Sequence, residues 1–397
     1  LFLLLGTTKN FFDLTIEELR TAIELLKGPA FRADQIWRWV YQLGVQAFST
    51  MNNVPLLFRE TLGLHYSLER TQEHQVLISK DKTIKWLLAF SDANQVETVW
   101  IPEQTRSTLC ISSQVGCTLN CKFCHTGTQP LVRNLRAGEI VAQLLHAKDV
   151  LQDWPSHAPT RKINNIVMMG MGEPLLNYEQ VAKAIQIMTH PQGLDISRKK
   201  ITLSTSGIVP QIKRCAEELG VNLAISLHAV TDELRNYLVP INKKYPINEL
   251  LQACRDYASI TGYRRITFEY VMLNGINDSP ADAKKLVALI KGIPAKINLI
   301  PFNPWPGTEF ECSTESNIKQ FAAIIEKAGY IAPVRTPRGE DIMAACGQLK
   351  SASIKAKAYQ ASYRPQSHSL EDSEKLGIEK MATELEKLSR AVLAKKE

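Results

Sequence analysis

The sequence predicts an α/β protein whose main body is a partial (β/α)6 barrel, preceded by a small N-terminal helical domain and a β-hairpin extension. Three observations predict it. From about residue 105 onward, six short strand-like runs alternate with stretches of helical period, the pattern of a parallel sheet with helical crossovers. Residues 14–60 carry helical periodicity. Between these regions, residues 74–101 read as strands, with two runs flanking a turn as a hairpin. The 397 residues suffice for one barrel-sized domain and a smaller one, whereas a full eight-unit barrel would need more chain.

At the N-terminus, Thr15-Ile16-Glu17-Glu18 fits a capping box, and Ile16, Leu19, Ile23 and Leu26 fall on one helical face. Gly28-Pro29 breaks that helix. A second runs from about Arg32 to Leu43 and carries Trp37, Arg38, Trp39 and Tyr41. Interleaved aromatic and basic residues can meet nucleic acid by stacking and phosphate contact. The competing account packs Trp37 and Trp39 into the core of the helical domain, and it is favoured for at least one of them. The hairpin comprises Thr83–Phe90 and Val96–Ile101 around Ser91-Asp92-Ala93-Asn94.

The barrel strands are expected at 108–112, 165–169, 200–204, 222–227, 267–273 and 296–301. Helices are expected after Ile140 and near 178–189, 208–219, 247–260, 280–291 and 315–328. Domain boundaries follow: residues 1–70, 71–104, 105–349, and a polar tail at 350–397 that reads as a solvated helix or as disordered.

Composition bounds the function classes. Hydrophobic content of 45% with 22% charged residues is ordinary for a globular protein. Lys+Arg exceed Asp+Glu by 47 to 40, a net +7 that permits a polyanionic partner without demanding one. Eight cysteines in a chain of this length do not make a disulfide scaffold and suit a reducing cytoplasm. The apolar start Leu1–Gly6 is too short for a signal-peptide core, and no run is long enough to cross a bilayer.

The densest chemical signal is Cys117, Cys121 and Cys124, spaced C-x3-C-x2-C on a loop containing Gly116 and Asn120. Three thiolates on a four-iron cubane leave one iron open to chelate a small molecule, whereas four would close it into an electron carrier. A zinc site would want a second Cys/His knuckle, which is missing, although His125 follows Cys124 directly. Three unrelated structural thiols are the remaining account. Beyond the second strand lies Met168-Met169-Gly170-Met171-Gly172-Glu173-Pro174, where small residues admit a ligand and Glu173 can hold an ammonium group. Ser204, Ser226, Leu227, His228 and Asn303 stand at later strand ends. In parallel β/α folds those carboxyl ends form the active site. Singly, the hydroxyls read as helix caps and His228 as a core residue; repeated at successive strand ends, they read as a ligand site.

With these motifs the chain resembles the RlmN family, radical S-adenosylmethionine (SAM) enzymes that methylate C2 of adenine in 23S rRNA and in tRNA next to the anticodon. The resemblance runs from about Phe31 to Leu349. It is carried by Phe31-Arg32-Ala33-Asp34-Gln35, Val96-Glu97-Thr98-Val99, Cys110-Ile111-Ser112-Ser113-Gln114-Val115-Gly116-Cys117, Val239-Pro240-Ile241-Asn242-Lys243-Lys244-Tyr245 and Ala345-Cys346-Gly347-Gln348-Leu349. The sibling Cfr family, which methylates C8, shares most catalytic motifs.

The resemblance implies a [4Fe-4S] cluster on Cys117, Cys121 and Cys124. It implies SAM contacts from Gly172, Glu173, Ser204, Ser226, Leu227, His228 and Asn303. Cys346 becomes the methylated cysteine, Cys110 its resolving partner and Glu97 a proton acceptor. It also implies two SAM molecules per turnover: one methylates Cys346, and the other yields the radical that activates that methyl group. The activated carbon adds to C2, the C2 proton is lost with Glu97 or Cys110 as candidate base, and attack by Cys110 on Cys346 then releases the product, leaving a disulfide. Adenine C2 is electron-poor and does not attack an electrophilic methyl, hence the radical route. Expected partners are 23S rRNA, tRNA and an electron donor such as flavodoxin or ferredoxin; the chain is expected to be a monomer. From the residues alone, Cys110 and Cys346 read as small buried hydrophobes, as do Cys215, Cys254 and Cys312. Two rivals remain: a radical SAM enzyme acting on a small molecule or a glycyl group, and a non-catalytic RNA-binding protein with a structural cluster.

Overall fold

The computed structural model of the protein describes residues 8–351. The apolar start Leu1–Gly6 and the polar tail, apart from its first two residues, lie outside the described residues.

The N-terminal segment folds as the helical pattern predicts. Helix α1 (Ile16–Leu25) starts at the capping box: Thr15 accepts from the Glu18 N–H while Glu18 accepts from the Thr15 N–H. Ile16, Leu19 and Ile23 form its buried face. Helix α2 (Phe31–Tyr41) buries Trp37, and the indole N–H of Trp39 instead donates to Asn53 Oδ1 at 2.7 Å. Helix α3 spans Leu56–His65. Within the helical stretch 14–60, Gln42 to Pro55 is loop with one 3-10 turn at Phe48–Thr50. These helices are seated on the barrel. Asp13 accepts from the Gly138 N–H at 2.8 Å and pairs with Arg136 at 3.0 Å.

The expected hairpin has a third strand. β1 (Gln72–Ile78), β2 (Ile84–Ala89) and β3 (Gln95–Pro102) form an antiparallel meander. β1 is mostly exposed, so it lacks the burial that would give it an apolar alternation. β3 pairs antiparallel with β4 (Ser107–Cys110), so the meander continues the barrel sheet. Five further strands follow in parallel: β5 (Asn165–Met168), β6 (Ile201–Thr205), β7 (Asn222–Ser226), β8 (Ile266–Met272) and β9 (Ala295–Pro301). The sheet has nine strands in sequential order, and β4–β9 are the six strands expected for the barrel. Its last edge is covered: Ile331 bridges to Lys296, and Val334 to Leu299, leaving few free backbone groups there.

Helices α4 (Ala137–Leu151), α5 (Tyr178–Thr189) and α6 (Val209–Arg214) carry the first crossovers, and α6 continues as a π-turn over Cys215–Leu219. An additional helix, α7 (Asp232–Leu238), precedes α8 (Ile247–Ile260). α9 (Pro280–Leu289) and α10 (Glu315–Lys327) complete the set. Period two sorts the strand residues. Outward positions such as Leu203, Leu223, Phe268 and Leu299 are buried in the core. Inward positions such as Thr202, Asn222, Thr267 and Asn298 line a polar lumen.

Candidate active site

The loop after β4 is pinched at its base. Gln114–Val115 pairs antiparallel with Arg133–Asn134, and Cys117 N–H donates to Gln129 O at 3.1 Å. The three cysteines between these points line one cavity. Burial pushes the Cys117 thiol up to about 12, with the Leu119 N–H opposing it from 3.5 Å. Burial also raises Cys121 and Cys124, and each is raised further by neighbouring thiols. Sulfurs that repel one another as anions gain from a shared cationic centre, and backbone N–H groups aimed at sulfur support such a ligand. Among the described residues, no set of three or more Cys, His, Asp or Glu side chains closes around a single ion. The three thiols line one open cavity together with polar groups from later strand ends, which leaves room beside them for a multi-iron group with a free corner. The donor set therefore fits the cluster.

Around that cavity the chain comes in close. A Cβ on Gly170 would stand 2.7 Å from Ile111 O, and one on Gly172, whose φ is 99°, 2.5 Å from Gln114 Cβ. Only glycine permits this approach. It brings in Glu173, which is buried and accepts from the Ser206 N–H at 2.8 Å and the Leu175 N–H at 3.1 Å. Burial pushes its carboxyl up to about 7 against these bonds. An ammonium group entering the cavity would restore its charge.

Gly172, Ser204, Ser226, His228 and Asn303 line the same cavity. His228 sits at φ 58°, and its Nδ1 accepts from the Val271 N–H at 3.0 Å. That bond places the ring proton on Nε2. Burial, then nearby Arg235, lowers His228 to about 3, so the ring is neutral. Leu227 lines no part of the cavity. It is fully buried, and its carbonyl accepts from Arg235 Nε at 3.0 Å.

Arg235 was not singled out in the sequence. It is fully buried and donates to Ser206 O at 2.8 Å, Ser226 O at 2.9 Å and Asn242 Oδ1 at 2.8 Å. It thus ties the ends of β6 and β7 to the Val239–Tyr245 segment. A lone Arg on a short polar helix gave no sequence signal.

The segment carrying Cys346 looks loose in sequence but is stitched in place. Asn303 Nδ2 donates to Cys346 O at 3.2 Å, and Gln348 Nε2 to Pro304 O at 2.7 Å. His125 N–H donates to Gly347 O at 2.7 Å, and the His125 ring stacks on Trp305 at 4.8 Å. Cys346 lines both the cluster-loop cavity and the adjoining lumen, about 630 Å³, which Cys110 also lines. Burial, then Cys346, pushes Cys110 up to about 12. All eight cysteines are free thiols, so the disulfide expected from the resemblance is not formed in this structure.

Glu97 lines neither cavity. Its carboxylate pairs with Lys85 Nζ at 2.8 Å and accepts from the Lys350 N–H at 2.9 Å, and burial raises its pKa. Lys85 also donates to Met343 O at 3.0 Å. The pair clamps both ends of the Cys346 segment. Two further site residues escaped the sequence reading, Glu269 and Arg335; both line the two cavities. A glutamate inside the apolar run of β8 was a legible signal. Arg335 had none, because only tertiary folding brings it there.

The radical SAM superfamily description matches residues 111–287, and that of the ribosomal RNA large subunit methyltransferase N-terminal domain matches residues 9–67. A protein of Chelativorans sp. (strain BNC1) named dual-specificity RNA methyltransferase RlmN is 55% identical, covering 88% of this chain and 90% of its own. A protein of the same name from Rhodopseudomonas palustris (strain TIE-1) is 59% identical over 81% of this chain and 82% of its own. The crystal structure of a radical SAM methyltransferase from Sphaerobacter thermophilus superposes with a TM-score of 0.81 at 42% identity, covering 86% of this chain and 99% of that one.

Proposed function

Because this chain belongs to the RlmN family of radical SAM RNA methyltransferases, we propose that it methylates C2 of an adenosine in 23S rRNA and of the adenosine next to the anticodon in tRNA. One observation carries the reading furthest. Cys346 stands where the cluster-loop cavity meets the lumen, and Cys110, distant in sequence, lines that same lumen.

Each residue has a part. Cys117, Cys121 and Cys124 hold the cluster, while Glu173 takes the ammonium of SAM and the hydroxyls of Ser204 and Ser226 take polar groups of its remainder. His228, neutral with its proton on Nε2, donates a hydrogen bond into the cavity. Asn303 and Gln348 fix Cys346 so that its sulfur first accepts a methyl group and later carries that carbon to the base. When bound, the cluster and its SAM supply the one-electron chemistry that an electron-poor carbon demands. After the C2 proton is lost, the Cys110 thiolate attacks the Cys346 sulfur: the S–S bond forms as the S–CH2 bond breaks, and the carbon leaving with that electron pair takes up a proton to become the methyl group of the base. Glu97 is the proton acceptor named by the resemblance; here both its oxygens are engaged, so that role requires it to part from Lys350. We assign it the positioning of the Cys346 segment as well.

Mass spectrometry of rRNA and tRNA nucleosides after reaction of reconstituted protein with SAM and a reductant tests the proposal. 2-Methyladenosine in both RNAs is the expected product. Methylation at C8 instead would move the activity to that of the sibling family, and unmodified RNA would end the reading.

A further inference from the structure

β8 contains a carboxylate that the proposed chemistry leaves unused. All seven residues of Ile266–Met272 are buried. Phe268 and Tyr270 turn outward, the latter packing on the Phe321 ring at 5.2 Å. Thr267, Glu269 and Val271 alternate with them and face inward. Glu269 is 4% exposed, and burying a carboxylate is costly unless both oxygens are partnered. Oε1 accepts from Asn298 Nδ2 at 2.9 Å. Oε2 has no hydrogen-bond partner among the described residues. The nearest cation, Arg335 Nη1, is 3.9 Å away, close enough to attract but too far to bond. Glu269 and Arg335 both line the two cavities, as does Cys346, and the lumen falls within the size range of roughly 300–1,000 Å³ typical of ligand sites.

An acceptor beside a donor is the complement of an adenine edge, which presents its 6-amino group next to a ring nitrogen. Bases extruded into a pocket are read by such hydrogen bonds. We infer that Glu269 and Arg335 read the target adenine: Glu269 Oε2 accepts from the 6-amino group, and the Arg335 guanidinium donates to the neighbouring ring nitrogen. This inference rests on the RNA methyltransferase function proposed above and assigns its base specificity. A 6-oxo purine would set a carbonyl oxygen against Oε2 and be rejected. Burial raises the Glu269 carboxyl, and Arg335, Asn298 and Lys296 oppose that shift.

The test compares two synthetic RNA substrates with the reconstituted holoenzyme. One carries the target adenosine, the other purine riboside, which has hydrogen in place of the amino group. Wild type should lose roughly tenfold to a hundredfold in kcat/KM on the second RNA, the value of a hydrogen bond to a charged group. In Glu269→Gln, Asn298 keeps the amide oxygen and turns the amide NH2 toward the base. That variant should fall by a similar factor on adenosine and discriminate little between the two RNAs. Comparing the ratios cancels any intrinsic difference in reactivity between the bases. Where Glu269→Gln fails to fold, Glu269→Asp should show an intermediate ratio. A ratio between the two RNAs that is the same in wild type as in Glu269→Gln, or as in Glu269→Asp, overturns the inference. A wild type that leaves even the adenosine RNA unmethylated defeats the underlying function, a failure distinct from the others, and the inference falls with it.

Discussion

His228 holds a left-handed backbone, and its Nδ1 is occupied by the Val271 N–H. With its pKa lowered to about 3, it stays neutral where a free imidazole would titrate near 6.5. The unfolded chain then binds more protons than the folded one between these values, so this residue makes stability fall as pH drops below about 6.5. Long-range 1H–15N spectra should show a single Nε2–H tautomer, unchanged from about pH 5 to 8; a midpoint near 6 would contradict the placement. Cys110 permits a sharper residue-scale test. Cys110→Ala should accumulate a covalent enzyme–RNA species, seen as a shifted band that nuclease collapses. Clean release of methylated RNA by that variant would rule out its resolving role.

Two elements depend on single buried cations. Arg235 joins β6, β7 and the segment after α7 by donating to Ser206 O, Ser226 O, Leu227 O and Asn242 Oδ1. Arg235→Met strands several of them, at roughly 1–3 kcal/mol each, so urea unfolding should show a loss of about 3 kcal/mol or more. Burial already lowers its pKa to about 10, a sign of how poorly solvated the guanidinium is. Lys85 on β2 acts differently, linking Glu97 on β3 to Met343 at the head of the Cys346 segment. Lys85→Met leaves a buried carboxylate unpaired, at a cost of roughly 3–5 kcal/mol. Hydrogen exchange should quicken around residues 343–350 while α8 keeps its protection. Uniform loosening of the whole domain would show that the pair supports the fold at large and not that segment.

At the scale of the molecule, a net charge of +7 must be distributed before it can grip RNA. The N-terminal helices offer one place. Phe31 is 59% exposed with the Arg32 guanidinium over its ring at 4.8 Å, and Arg38 lies exposed on the same helix. Reversing charge at Arg32 and Arg38 together should weaken RNA binding and flatten its dependence on salt, measured by titration at several ionic strengths. Binding unchanged in both respects would move the RNA surface elsewhere. The six parallel strands, most crossover helices and the three-cysteine loop were legible because each is a local pattern: period two, period 3.6, or fixed ligand spacing. Glu269 was half legible, as a charge inside an apolar strand. Arg235, Arg335 and the clamp of Glu97 on the Cys346 segment were not, because each depends on what the rest of the chain brings alongside. By itself, then, the sequence determined which backbone elements form and which thiols share a loop, since those follow from neighbours along the chain. Only the tertiary structure decided which buried charges face one another across the lumen, because desolvation and hydrogen bonding act between groups that sequence separation does not relate.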